Sequence, residues 1–164
     1  MLKPHLVVAA ALITRDDGCL LIARRPPEQT LGGHWEFPGG KLENNESAEE
    51  CLVRELQEEL ALAVKVGAYF SQVTHEYAFA TIELCAYWAV PLQRHFDLRV
   101  HDAARWASIP SLRDLQFAPA DVPIIRRLLC LSAPTELAVK NSRTNRDTKC
   151  TGPEAAARKQ SRLP

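Results

Sequence analysis

The sequence predicts an α/β fold in which a mixed β-sheet lies between helices. Three observations lead there. Runs rich in apolar, β-branched and aromatic residues recur at 6–14, 19–23, 64–77, 81–90 and 103–108, the composition of strands. A helical stretch with its own start signal opens at Ser47, and a second begins near Asp121. With residues 35–38 leading into Gly39-Gly40 as a third strand, the order is β-β-β-α-β-β-β-α, which favours a mixed sheet covered on both faces.

The first two runs are joined by Asp17-Gly18, a hairpin signal. Pro26-Pro27 end the second run, because proline has no amide to give a ladder. Residues 28–34 read as a loop. Ser47-Ala48-Glu49-Glu50 is a capping box: the serine hydroxyl accepts from a backbone amide and the glutamate reaches back. Behind it, Leu52, Val53, Leu56 and Leu60 form an apolar stripe expected to face the core. Residues 94–100 read as a surface connection, and Pro110-Ser111 as a short helical turn. In the second helix Asp121 stands near the N-cap, Pro123 falls in the first turn where it is tolerated, and the apolar positions are 124, 125, 128, 129 and 131.

At 164 residues the chain suits one domain with a true hydrophobic core. The apolar pattern stops after Leu131, so residues 1–131 form the domain and 132–164 a polar, basic, flexible tail. That tail holds seven Lys/Arg and three Asp/Glu, leaving 13 basic and 17 acidic residues on the body. An acidic body argues against a nucleic-acid-binding face. The five cysteines are odd in number and widely spaced, which reads as buried free thiols in a reducing cytosol. The apolar run at 6–13 is too short to span a bilayer and no cleavage site follows it. A cytoplasmic monomer or homodimer, without membrane or stable nucleic-acid partner, is the expectation.

The chemistry concentrates in the first helix. Glu55, Glu58 and Glu59 stand at i, i+3 and i+4, so three carboxylates share one helix surface within an arc of about 100°. Like charges at that spacing repel, and no lysine or arginine follows any of them four residues later. A hard divalent cation with a taste for oxygen turns that repulsion into coordination. The alternative is a salt-bridged surface helix.

The spacing Gly40, Glu46, Arg54-Glu55-Leu56, Glu58-Glu59, Ala61-Leu62 resembles the signature box of the Nudix hydrolases, which cleave a nucleoside diphosphate linked to another group. The resemblance implies a Nudix-type α/β/α sandwich. It implies magnesium as cofactor, with manganese as substitute, held by Glu55, Glu58, Glu59 and the carbonyl of Gly39. Glu55 or Glu58 doubles as general base, Arg54 ties a glutamate in place, and Gly40, Lys41 and Glu46 support the turn. The segments 20–25, 33–41 and 117–121 are similar to the MutT-like branch, which hydrolyses nucleoside triphosphates to monophosphate and pyrophosphate. That likeness implies substrate binding by Arg25, Glu36, Phe37, Pro38, Gly39 and Asp121, and a role in sanitising 8-oxo-dGTP that serves DNA replication and repair.

Three departures matter. Glycine usually stands where this chain has Ala61, so the helix is expected to run on or end differently. Asparagine is usual in the branch where Asp121 stands. An ionised aspartate only accepts, which suits the exocyclic amine of a cytosine nucleotide; a protonated one also donates and suits oxidised guanine. CTP, dCTP or 5-methyl-dCTP is therefore the alternative substrate, a non-catalytic binding module a further reading, and an RNA-directed decapping role using the basic tail another. Finally, a glutamate that the family supplies ahead of the later tryptophan is here Val100, with His101 or Asp102 as stand-ins. Arg25 alternatively ends a strand in solvent, Trp35 and Phe37 alternatively are core aromatics, and His34 reads as a loop residue.

Overall fold

The structure is a computed structural model that describes residues 3–132. Its strands are β1 (His5–Ile13), β2 (Leu20–Arg24), β3 (Trp35–Glu36), β4 (Gly39–Lys41), β5 (Val64–Glu76), β6 (Thr81–Pro91) and β7 (Ala103–Ala107). Helix α1 spans Ala48–Leu60 and α2 spans Val122–Ser132, with a 3-10 turn at Ile109–Asp114. The tail expected from residue 132 lies, apart from Ser132, outside the described residues.

Two sheets share the strands. The larger has the order β4-β1-β6-β5, mixed because β1 runs parallel to β6 and antiparallel to β4; the smaller, β3-β2-β7, is antiparallel. Strand β1 is buried on both faces, and its alternation assigns one face to each helix. Ala9, Ala11 and Ile13 pack with Leu52, Leu56 and Leu60 of α1, while Ala10 and Leu12 pack with Ile124, Ile125 and Leu128 of α2. That is the expected helix–sheet–helix sandwich.

The expected β1–β2 hairpin is corrected. The turn forms, with Gly18 at φ 78° and its amide donating to Arg15. Beyond the Thr14–Leu20 bridge the strands part into different sheets. Both edges of β1 are already taken by β4 and β6, so β2 has no ladder to join. The single strand expected at 35–40 is likewise two short strands in two sheets, broken at Phe37-Pro38, where proline cannot donate.

Helix α1 starts as expected: Glu50 N donates to Ser47 Oγ at 3.2 Å and Ser47 N donates to Glu50 Oε2 at 2.9 Å. It ends at Leu60, because Ala61 adopts the left-handed conformation itself (φ 50°, ψ 34°), its amide returning to Gln57. The stripe expectation fails at Val53, which is 46% exposed; Cys51 is buried in its place, against the carbonyl of Gly40. In α2 the stripe fails at Leu131, since the whole last turn, 130–132, projects into solvent. Cys51, Cys85 and Cys130 are free, but Cys19 is disulfide-bonded, which corrects the expectation of free thiols throughout. No described helix is long and apolar enough to cross a membrane.

Candidate active site

A cleft of about 470 Å³ opens between β1, β4, the α1 glutamates and the loop before α2. Its floor follows from two close approaches. Gly39 faces β1 so tightly that a Cβ there would sit 2.0 Å from the carbonyl oxygen of Ala9. A Cβ on Gly40 would sit 2.1 Å from the carboxyl carbon of Glu55. Glycine at both positions thus lets α1 lay Glu55 against the strand.

Of the three α1 glutamates, Glu55 and Glu59 line the cleft, while Glu58 lies outside its lining and is largely exposed. Arg54 organises the group. It holds Glu46 through two hydrogen bonds, Nε–Oε1 at 2.7 Å and Nη2–Oε2 at 2.9 Å, and holds Glu55 through Nη1 at 2.8 Å. Glu58 lies 3.6 Å from the same guanidinium nitrogen. Glu46 also accepts from the amide of Glu43, so it braces the turn, and Arg54 pulls its carboxyl down to about 2. Lys41 lines the cleft mouth, its carbonyl accepting from Arg54 at 3.3 Å.

Glu59 is different. Its Oε2 is buried with no hydrogen-bond partner. Burial first, then the nearby Glu55 and Glu36 carboxylates, push its pKa up to about 7, against the opposing pull of His101 and Arg25. Among the described residues no three His, Cys, Asp or Glu side chains converge to cage an ion by themselves. The donor chemistry nonetheless suits a hard divalent cation: a buried carboxylate oxygen without a donor, crowded by like charges, beside Glu55 and the backbone of Gly39.

The remaining expected residues gather in the same cleft. Arg25 lines it, pairing with Glu36 at 2.8 Å and donating to the carbonyl of Thr30 at 2.7 Å, so it is a cleft residue and not a strand end in solvent. Phe37 lines the cleft and packs against Phe117 with ring centroids 5.6 Å apart. Its amide donates to Asp121 Oδ1 at 3.1 Å. Asp121 caps nothing with that side chain; burial pushes its pKa up to about 8, against the lowering effect of the Phe37 hydrogen bond. Pro38 falls outside the cleft lining, buried with its carbonyl bonded to the amide of Ala11. Trp35 is a core residue under Arg24 and Arg105, and His34 is tied to Leu31 and Gln116, as a loop histidine would be.

Sequence reasoning missed Tyr77 and Phe79, which line the cleft from the β5–β6 turn with rings stacked at 5.0 Å. Tyr77 accepts from the amide of Ala120 through its hydroxyl, fixing that turn beside Asp121. Alternating aromatics flanking a turn were the available signal. His101 was considered only as a stand-in for Val100. It is buried, donating from Nε2 to Glu36 Oε1 at 2.9 Å, while Val100 is exposed and Asp102 is paired with Arg24 at 2.9 Å.

Comparison with known proteins fits this arrangement. Residues 9–127 match the model of the NUDIX domain family. The CTP pyrophosphohydrolase of Escherichia coli (strain K12) is 41% identical over 128 residues, covering 77% of this chain and 93% of that protein. The 8-oxo-dGTP diphosphatase of Proteus vulgaris is 44% identical over 75 residues, 46% of this chain and 67% of that protein. Among solved structures, the E. coli ORF135 protein superposes with a TM-score of 0.69 at 34% identity, covering 82% of this chain and 95% of that one.

Proposed function

This chain belongs to the NUDIX domain family, and from that premise we propose that it hydrolyses nucleoside triphosphates to monophosphate and pyrophosphate, with 8-oxo-dGTP as the substrate that its base end suits best. One observation carries the reading: a single cleft is lined by Glu55, by Glu59 with its donor-less buried oxygen, and by the neutral-tending Asp121. A polyanionic chain and a base have complementary places to lie.

Glu55, Glu58, Glu59 and the carbonyl of Gly39 would hold the cation, magnesium with manganese as substitute. When bound, that ion supplies charge to the phosphoryl oxygens and to the leaving pyrophosphate. The chain's residues do the rest. Arg54 fixes the Glu55 carboxylate, which faces the cleft whereas Glu58 does not, and this favours Glu55 as general base. Glu55 takes the proton of the attacking water as its oxygen bonds to phosphorus and the bridging phosphorus–oxygen bond breaks. Arg25 and Lys41 offset phosphate charge, and Arg25 in turn orients Glu36. Phe37 and Gly39 wall the nucleotide; Pro38 shapes that wall from behind.

At the base end a protonated Asp121 has both a donor and an acceptor, the equipment of asparagine, and so reads an oxidised guanine. The second reading, a cytosine nucleotide, is favoured by the likeness to a CTP pyrophosphohydrolase. A nucleotide-pool substrate supports a cytoplasmic role in the service of replication and DNA repair. Pyrophosphate release from 8-oxo-dGTP, dGTP, dCTP, 5-methyl-dCTP, CTP and 2-hydroxy-dATP tests this directly. Highest kcat/KM on 8-oxo-dGTP is expected; highest on CTP or 5-methyl-dCTP shifts the assignment to cytosine, and no turnover of any of them ends it.

A further inference from the structure

Among the described residues Leu31 is the one bulky side chain whose backbone stands in the left-handed region, at φ 60°. The other two non-glycine cases have ordinary reasons: Asn45 is a residue type that tolerates the conformation, and Ala61 closes α1. A leucine there has its Cβ crowded against the following carbonyl oxygen and persists only where its surroundings hold it. His34 does the holding. Its amide donates to the Leu31 carbonyl at 3.1 Å, and its Nδ1 donates to the same oxygen at 3.0 Å. A carbonyl only accepts, so Nδ1 carries the hydrogen, and Nε2 accepts from Gln116 Nε2 at 3.0 Å. Gln116 belongs to the segment that carries Asp121, and its carbonyl accepts from the Trp35 amide at 2.8 Å.

The strained residue is also a cleft residue. Its neighbour Thr30 lines the same cleft and accepts from Arg25 Nε at 2.7 Å, so this stretch and the Arg25 guanidinium are locked together. The loop is closed at its base by Arg25 N donating to His34 O at 3.0 Å and Gly33 N donating to Arg25 O at 2.9 Å. With its carbonyl taken, Leu31 brings hydrocarbon and not an acceptor to a lining shared with Phe37, Tyr77, Phe79 and Ile82. Phosphate gains nothing from such a surface. A base and its sugar do, because packing against it removes apolar area from water. We propose that Leu31 is a specificity-determining contact to the nucleoside part of the substrate, and that His34 and Gln116 are positioning residues that hold it there. The inference rests on the reading of this cleft as a nucleotide site.

Calorimetric titration of the full chain with 8-oxo-dGMP, CMP and inorganic pyrophosphate, in the presence of Mg²⁺, tests it apart from turnover. Leu31→Asn supplies a residue type at ease in the left-handed region and exchanges hydrocarbon for an amide; Leu31→Gly removes the side chain altogether. Both should melt close to the unmodified chain. Both should bind the preferred nucleoside monophosphate about tenfold more weakly, with pyrophosphate affinity unchanged. His34→Ala frees the Leu31 backbone and should weaken the monophosphate in the same direction. Added to Leu31→Asn it should cost nothing more, since His34 acts through Leu31. Unaltered monophosphate affinity in both Leu31 variants overturns the inference and leaves the nucleotide reading standing. An equal loss of pyrophosphate affinity overturns it too, because Leu31 would then serve only to shape the loop. If the unmodified chain binds neither monophosphate, the reading of the cleft falls and takes the inference with it.

Discussion

Replacing Asp121 by asparagine isolates one buried carboxyl and predicts a pH-dependent difference in stability. Asparagine keeps an oxygen that can accept from the Phe37 amide and removes the titration, its NH2 standing where the second carboxyl oxygen was. Burial raises the Asp121 pKa from 3.8 in the unfolded chain to about 8 in the native protein. Between those values the folded state binds a proton that the unfolded state has lost, so native stability falls as pH rises and levels off above the folded pKa. Each pH unit in that window removes about 1.4 kcal/mol. Relative to pH 4, Asp121 should therefore weaken the protein at pH 7 by on the order of 4 kcal/mol, a loss that Asp121→Asn does not suffer. Urea unfolding of both proteins at pH 5, 6, 7 and 8 reads the difference, because every other titrating group is shared. The asparagine variant should gain on the unmodified chain steadily up to about pH 8. Parallel stability curves would refute the reasoning: Asp121 would then be ionised in the folded state, and the base-end argument for oxidised guanine would go with it.

Glu59→Gln should lower kcat for pyrophosphate release by about a hundredfold or more, since it removes a proposed cation ligand, while thermal melting shows the fold intact. Gly40→Ala places a methyl 2.1 Å from the Glu55 carboxyl carbon, so it should destabilise by about 1–3 kcal/mol and reduce kcat, both measurable on one preparation. Ala61→Gly should stabilise by about 1 kcal/mol in a thermal melt, because the left-handed backbone at φ 50° is strained for alanine and free for glycine.

Local signals survived the step to three dimensions where short-range chemistry decides the outcome. The Ser47–Glu50 cap and the Arg54 tether depend on residues within about two helical turns of each other, and the structure has both, while of the three α1 glutamates only Glu55 and Glu59 line the cleft. What was illegible is set by competition between distant elements. Whether β2 pairs with β1 depends on β4 and β6 occupying both edges first, which no hairpin signal encodes. Val53 and Leu131 follow the apolar period yet face solvent, because the helix surface that meets the sheet is narrower and shorter than the pattern. The inward turn of His101 depends on a partner, Arg24, 78 residues away from Asp102 in sequence.

The parallel pairing of β1 with β6 has a temporal consequence during synthesis. His5 sits opposite Thr81 in that register, so β1 leaves the ribosome with no long partner until roughly 70 further residues have been made. At about 5–20 residues per second, that is a wait of roughly 4–15 seconds for an alanine-rich, two-sidedly apolar segment. Closing so wide a loop before any ladder forms also slows refolding from denaturant. Variants that expose the nascent 5–13 segment longer, such as slow codons ahead of β6, should therefore lower soluble yield without altering the finished protein.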